Sequence, residues 1–358
     1  MLISGLAVGA AGATGYGLWP KLGRYEEAVA QQRALLSANP ALSDLVGMAT
    51  LAANGHNTQP WRFYLDEQRV QILPDYSRRT AVVDPDDHHL FVSLGCAAEN
   101  LKVAAAQHGF EPRLRFIDSH EPGLEISLDP DGMKTSPLYP AIPLRQSTRS
   151  VYDGAPISAE DLQRLKDAAR QDGVSMLVFE ERADLETILE AVIAGNSAQM
   201  DDPAFISELL SWLRFSPDQA LKTGDGLFTA SSGNPVLPSW IGERMFKAFF
   251  TKQSENDKYR DHVRSSSGIA IFIGDEQTPE HWTRVGQSFQ RFALQATLLG
   301  IRTAHLNQAI EVPTVRTQFA SWLGAGARRP DLVVRFGRAS TLPMSLRRPV
   351  SDVIIQRA

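Results

Sequence analysis

Cysteine is almost missing from this chain: Cys96 is the single one in 358 residues. That excludes an intrachain disulfide and a cysteine-rich zinc site, and it leaves the redox compartment open. An excess of positive charge is missing too. With a formal net charge of −5, a pI near 5.9 and basic residues scattered rather than clustered, the composition argues against a nucleic-acid partner and against a polybasic membrane contact. Charge of either sign is absent from Met1 to Trp19, MLISGLAVGAAGATGYGLW. Followed by Pro20-Lys21, this stretch resembles the apolar part of an export signal without its basic n-region. Its five glycines and marginal length disfavour a spanning helix, so no stable membrane span is expected after processing. Residues 1–20 therefore read either as a signal-like or anchor segment, the remnant of a twin-arginine-type signal on an exported, periplasmic protein, or as a flexible arm.

What is present is enough apolar material, 43% of the residues, for at least one large core, and a length that suggests about two domains. Apolar residues from Tyr25 to Leu51 fall at helical spacing, with a break at Asn39-Pro40 and a new start at Leu42-Ser43-Asp44. The next stretch, ANGHNTQPWRF from Ala53 to Phe63, is the one the chain is organised around. Asn57 and Gln59 offer donors and acceptors, Pro60 ends any helix at Gln59, and Trp61 anchors the turn by burial. Taken by itself, this stretch reads better as a helix C-terminus followed by an ordinary turn. Trp61–Leu65 and Val70–Leu73 predict a hairpin across Asp66, Glu67 and Gln68. In Asp84–His89, DPDDHH, two histidines beside aspartates could suggest a metal. No other His or Cys group supports them, so we read a solvated cap for a helix from Leu90 to His108, and no metal site is expected.

An internal comparison says more than any single motif. Gly95–Gly109, GCAAENLKVAAAQHG, overlays Gly286–Gly300, GQSFQRFALQATLLG, without a gap: both glycines coincide, Ala105 falls on Ala296, and Leu101 and Val103 fall on Phe292 and Leu294. Upstream, Asp44-Leu45 corresponds to Asp161-Leu162 at a smaller offset, so the second copy holds about 74 extra residues. They lie between a strand at Met176–Glu180 and one at Ile269–Gly274, at about residues 196–267. That interval is rich in aromatics, including Trp240, Phe249 and Phe250, and reads as a lid or an interface arm.

The second copy opens with LRQSTRSVYD, Leu144 to Asp153. Arg145, Ser147 and Arg149 suit a phosphate dianion, because bonds from guanidinium to phosphate are charge-assisted and bidentate, although most such clusters are solvated surface. A strand at Leu332–Gly337 and the basic pair Arg347-Arg348 close the chain.

NTQPW after a helix, R-x-S-x-R at Arg145–Arg149 followed by Pro156-Ile157-Ser158, and the late Arg347-Arg348-Pro349 together resemble the nitroreductase superfamily. The duplication matches its single-chain FMN-binding branch, the Acg family. The resemblance covers most of the chain from Tyr25 onward. It implies an α+β fold: a nitroreductase-like unit duplicated in one chain, a pseudo-dimer of two mixed-sheet sandwiches with flanking helices. The first half would span residues 21–135 and the second 136–358, with the insertion inside the second. It also implies one FMN between the halves, because the first has NTQPW without a clear R-x-S-x-R and the second has the reverse. Asn54, Gly55, His56, Asn57 and Gln59 would hold the ring; Arg145, Gln146, Ser147, Arg149, Arg347 and Arg348 would hold the phosphate and ribityl chain, with Arg149 near the pyrimidine edge. No catalytic side chain is expected, since the flavin carries the chemistry. The activity implied is hydride transfer from NAD(P)H through FMN to a nitroaromatic, a quinone or a similar acceptor, by a monomer. The alternative is an FMN storage or sequestration protein whose insertion occludes the ring, with Trp240 or Phe249 stacked on it.

Overall fold

The computed structural model describes residues 21–130 and 135–356; the signal-like segment 1–20 lies outside the described residues. The first half runs α1 (Gly23–Gln32), α2 (Leu42–Thr50), β1 (Trp61–Asp66), β2 (Arg69–Pro74), α3 (His88–Gln107), β3 (Phe110–Ile117) and β4 (Gly123–Pro130). The second begins with α4 (Ala159–Ala168) and β5 (Val174–Phe179). It continues through α5 (Arg182–Met200), α6 (Pro203–Trp212), the two-residue β6 (Leu213–Arg214), α7 (Pro217–Thr223), β7 (Leu227–Phe228), α8 (Ser239–Phe249) and α9 (Lys252–Arg264). It closes with β8 (Gly268–Gly274), α10 (Pro279–Leu298), β9 (Arg302–His305), α11 (Gln308–Glu311), α12 (Pro313–Trp322), β10 (Pro330–Gly337) and β11 (Ile354–Ile355).

Local chemistry sets the element ends. Ser158 accepts from the Asp161 amide at 3.1 Å and starts α4. Thr278 with Pro279 behind it starts α10. Gly109, at φ 85°, takes the left-handed turn that lets the chain leave α3 for β3.

Strand order exposes the repeat. Among the described residues, apart from the two-stranded β6-β7, one sheet contains the run β1-β2-β4-β3 and another β5-β8-β10-β9. Replacing each strand of the first by its counterpart in the second gives the same order, and all six neighbouring pairs are antiparallel. The departure from symmetry is β11, which crosses from the second half to pair in parallel with β1 through Phe63 and Ile354. Each sheet carries its long helix, α3 or α10, and these two helices pack on each other in the middle of one shared core. The contact is reciprocal, as a two-fold arrangement requires. A Cβ on Gly95 would meet Thr283 O at 2.0 Å, and one on Gly286 would meet Val92 O at 2.0 Å. The two glycines that coincide in the sequence are thus the positions where each helix backbone touches the other. Polar bonds fix the crossing: Gln290 Nε2 donates to Asn100 Oδ1 at 2.7 Å, and Arg291 pairs with Glu99 at 2.9 Å.

The halves differ most at one connection. Glu67 and Gln68 join β1 to β2, whereas residues 180–267 join β5 to β8. This insertion folds back over the first half. The Glu208 carboxylate on α6 accepts the amides of Val82 and Val83 at 2.9 and 3.1 Å, and Asp225 pairs with Arg78 and, at 2.7 Å, with Arg214.

Candidate functional site: a guanidinium pocket opening into a larger cavity

The last carbonyls of a helix have no intrahelical donors, and at the end of α2 two arginines from the second half supply them. Arg347 donates to Thr50 O at 2.6 Å, Leu51 O at 3.3 Å and Ala52 O at 3.1 Å; Arg145 donates to the same Leu51 O at 3.0 Å. Arg33, from the end of α1, joins them through Pro143 O at 2.8 Å and Ser345 O at 3.3 Å. The Arg145 segment is pinned by a parallel bridge between Ser147 and Thr303 and by the Thr148 amide on Thr303 O. The alternation of extended backbone then places Arg145, Ser147 and Arg149 on one side.

Among the described residues no carboxylate pairs with Arg33, Arg145, Arg149 or Arg347. Burial pushes the Arg33 guanidinium down to about 9 and Arg145 to about 10. It lowers Arg149 and, much further, Arg347, on which Arg33 and Arg145 add like-charge repulsion. Arg145 Nε, buried, has no hydrogen-bond partner among the described residues. Buried cations are held by counter-charge, and here only a pocket of about 50 Å³ faces them, lined by Arg33, Asn57, Arg145, Ser147 and Arg347 among others. The donor set therefore fits an anion, and a phosphate in particular. Arg347 also donates to Asn57 Oδ1 at 2.9 Å, so the NTQPW turn and the R-x-S-x-R segment meet at one place.

The turn itself is strained. His56, Asn57 and Gln59, at φ 47°, 53° and 54°, all sit in the left-handed region, which costs roughly 1–2 kcal/mol for each residue with a side chain. Asn54 Oδ1 holds the shape by accepting the Gln59 amide at 2.9 Å. The strain turns the two carboxamides toward the insertion and the tail. Asn57 Nδ2 donates to Gly226 O at 3.0 Å and Leu346 O at 3.1 Å; Gln59 donates to Gly224 O and accepts the Arg348 amide, both at 2.8 Å. The amides expected at the ring edge are thus bonded to protein backbone and, at Asn57 Oδ1, to Arg347. Gln59 and Arg348 line neither cavity. Arg348 points instead to Asp352 O and Asp75. Gln146 borders the small pocket but is tied to Leu342, donating to its carbonyl and accepting its amide, both at 2.8 Å.

Through Ala53, Asn54, Arg149 and Leu227 the small pocket adjoins a cavity of about 460 Å³, within the usual range for cofactor and substrate sites. Asn54, Gly55, His56 and Arg149 are the predicted residues on its wall. One side, from the insertion, is apolar, with Phe205, Phe215, Phe246 and Phe250; the other is polar, with Tyr259, Gln308 and Arg335. Arg149 projects here without a hydrogen bond or ion pair among the described residues. Burial, reinforced by Arg149, lowers His56 to about 4 and His305 to about 3. Both imidazoles are neutral at pH 7, and His305 Nδ1 has no hydrogen-bond partner among the described residues. Burial also raises the Cys96 thiol to about 12, which excludes a thiolate. Trp240 does not line the cavity: it stands on the outer face of α8, 62% exposed, beneath Arg244. Arg33, His305, Arg335 and Tyr259 belong to no motif, and nothing in the sequence marks them.

The DPDDHH run is a cap, but a buried one. Asp84 accepts the amides of His89 and Leu90 at 3.0 and 2.9 Å, and His88 Nε2 meets Asp331 Oδ1 at 2.8 Å. The solvated cap expected from the sequence is corrected by Trp282 and Asp331, which pack over the histidines from the second half. Ligand atoms of Asp84, His88 and His89 lie within 4.8 Å of one another, with Asp84 and His88 Nε2 engaged by these protein groups.

No protein-family model matches the chain. Two Mycobacterium tuberculosis H37Rv proteins, provisionally named NAD(P)H nitroreductases, match over nearly full length. One is 26% identical over 322 residues, covering 86% of this chain and 89% of that protein; the other, Acg, is 23% identical over 331 residues, covering 88% and 96%. Among solved structures, the FMN-dependent nitroreductase NfnB of Mycobacterium smegmatis in complex with NADPH is similar at 14% identity and a TM-score of 0.37, covering 61% of this chain and 92% of that one. A Bacteroides fragilis nitroreductase with bound FMN is similar at 16% identity and a TM-score of 0.36, covering 57% and 90%. Likeness over most of its length to the Acg-type proteins, with one strand order used twice, makes the chain similar to proteins of the nitroreductase superfamily.

Proposed function

We propose that the chain is an FMN-dependent oxidoreductase that takes hydride from NAD(P)H and delivers it to a small acceptor such as a nitroaromatic or a quinone. The observation that carries this reading is the cluster of half-buried Arg33 with buried Arg145 and Arg347, with no carboxylate paired to them among the described residues, in a pocket that adjoins a cavity large enough for a planar ring. When bound, FMN supplies two-electron exchange with a reduced nicotinamide and then with an acceptor.

The side chains divide the remaining work. Arg33, Arg145, Arg347 and the Ser147 hydroxyl neutralise and orient the phosphate. Arg149, which lines both cavities, would bring positive charge to the bound flavin and so would favour its reduced, negatively charged form. His56 and His305 stay neutral and offer hydrogen bonds without adding charge. The phenylalanines of the insertion exclude water, which strengthens these interactions. Anaerobic mixing with NADH or NADPH tests the proposal: the flavin spectrum of the loaded protein bleaches and recovers on adding acceptor, and a spectrum that stays oxidised rejects it.

A storage role has one observation in its favour: Asn57, Gln59 and Arg78 all hold the insertion, through Gly226, Gly224 and Asp225. Under that reading Asp225→Asn, which loosens the hold, raises turnover by tenfold or more. As a mobile enzyme lid, the insertion changes turnover little.

A further inference from the structure

We propose that His89 and Glu311 form a clamp for a primary carboxamide, the group carried by the nicotinamide ring of NAD(P)H. The two side chains come from different halves, His89 from the first turn of α3 and Glu311 from the end of α11, and both line the larger cavity. His89 Nδ1 lies 3.9 Å from Glu311 Oε1, too far for a direct hydrogen bond. Asn307 places both groups. Its backbone carbonyl accepts the Glu311 amide at 2.9 Å, and its Nδ2 meets His89 Nε2 at 3.4 Å. The Val333 amide donates to Asn307 Oδ1 at 3.0 Å and so fixes which way the carboxamide points. An amide N–H only donates, so His89 Nε2 accepts and the neutral ring carries its proton on Nδ1. Burial lowers His89 below the ordinary imidazole range, which keeps that ring neutral at pH 7. On the other side of the gap, Gln199 from α5 donates to Glu311 Oε2 at 2.7 Å, which leaves Oε1 without a hydrogen bond among the described residues. No lysine or arginine pairs with this carboxylate among them.

A donor and an acceptor thus stand side by side on the cavity wall with a gap between them. A primary carboxamide offers the complement: its carbonyl accepts from His89 Nδ1, its N–H donates to Glu311 Oε1, and bonds of about 2.9 Å to each span the gap. Other small polar groups match less well. A carboxylate sets like charge against Glu311, a nitro group brings no proton to it, and a ketone satisfies His89 alone. The ring that bears the amide meets the apolar side of the same cavity, where Phe205 and Phe246 stand. Because Gln199 belongs to the 180–267 insertion, closure of the insertion completes the clamp. The role in docking a hydride donor rests on the oxidoreductase reading; the recognition of the amide does not.

The test is a ligand-observed NMR titration of the full chain, with and without oxidised FMN. Three probes are compared: nicotinamide, 3-acetylpyridine, which lacks the N–H, and 3-pyridinemethanol, whose single hydroxyl both donates and accepts. Wild type binds nicotinamide at least tenfold more tightly than either of the others, and NAD⁺ displaces it. Glu311→Leu loses that preference while its affinity for 3-acetylpyridine stays within twofold, and His89→Leu weakens nicotinamide and 3-acetylpyridine alike. If Glu311→Leu does not fold, as judged by its thermal transition, the three probes on wild type decide, since they need no variant. The proposal is overturned if nicotinamide does not bind, if the wild-type preference over either probe is below tenfold, if folded Glu311→Leu keeps the preference, or if NAD⁺ leaves nicotinamide in place. Failure of the oxidoreductase reading is seen separately, as FMN that does not bind or that stays oxidised on anaerobic mixing with NADH and NADPH.

Discussion

The two ends of the candidate site come from different halves and are finished to different degrees. At the amide end, the polar atoms of Asn57 and Gln59 are taken up by backbone of the insertion and the tail and by the Arg347 guanidinium. At the guanidinium end, four cations converge with no carboxylate among the described residues, and Arg145 Nε has no acceptor. Buried polar groups left incomplete mark where a ligand is required, and complete ones mark what holds the protein together. The NTQPW turn is therefore a latch for the insertion as well as a wall of the site, while the arginines await an anion.

The largest effect should come from the open end. Arg145→Met removes charge-assisted bonds worth about 1.5–3 kcal/mol, so FMN affinity falls roughly ten- to hundredfold. The stability of the ligand-free protein stays within about 1 kcal/mol, because a buried cation without counter-charge leaves along with its bond to Leu51. Fluorescence titration and urea unfolding measure the two quantities. The opposite balance is expected at the latched end. Gln59→Leu leaves Gly224 O and the Arg348 amide unsatisfied, so unfolding free energy drops by about 1–3 kcal/mol, while FMN affinity falls less than tenfold. Equal losses of affinity at both ends would erase the distinction between them.

Acidification sharpens the comparison further. His56, held at about 4, and His262 and His305, held at about 3, are neutral in the fold. Their unfolded forms take up protons below the ordinary value of about 6.5. The unfolded state thus binds more protons as pH falls from about 6.5 to about 4, and stability declines by up to roughly 1.4 kcal/mol per pH unit for each histidine. His56→Asn, whose side chain tolerates the left-handed backbone, should remove one histidine's share of that slope in urea unfolding measured across the range. Arg348→Ala should do least: its side chain lies outside both cavities, and its ion pair with Asp75 spans 3.8 Å. Stability should shift by about 0.5 kcal/mol, with FMN affinity unchanged.

Much of the scaffold was legible because its signals are local. Helical spacing and Leu42-Ser43-Asp44 mark α2, alternating apolar residues mark the β1–β2 hairpin, and the overlay of Gly95 on Gly286 marks the helix crossing, where each glycine lies against the facing backbone. Other features had no local signal. A two-residue strand such as Ile354-Ile355 carries no period, so the return of the tail to β1 was hidden. The repeat offsets count about 74 extra residues, at about 196–267, inside the interval 180–267 that lies between β5 and β8. At the site, Arg145, Ser147 and Arg149 were legible as a motif. Arg33 is one arginine on an unremarkable helix, brought in by tertiary packing alone. The direction of the Asn57 and Gln59 amides follows from three positive φ angles in four residues, a strain that only the folded surroundings impose.

The most direct measurement is a calorimetric titration of the full chain with FMN and, separately, with riboflavin, the same ring without a phosphate. One FMN per chain, bound at least a hundredfold more tightly than riboflavin, is the result expected of a single cradle anchored at its guanidinium end. Equal affinity for the two ligands, two FMN per chain, or no binding would contradict it.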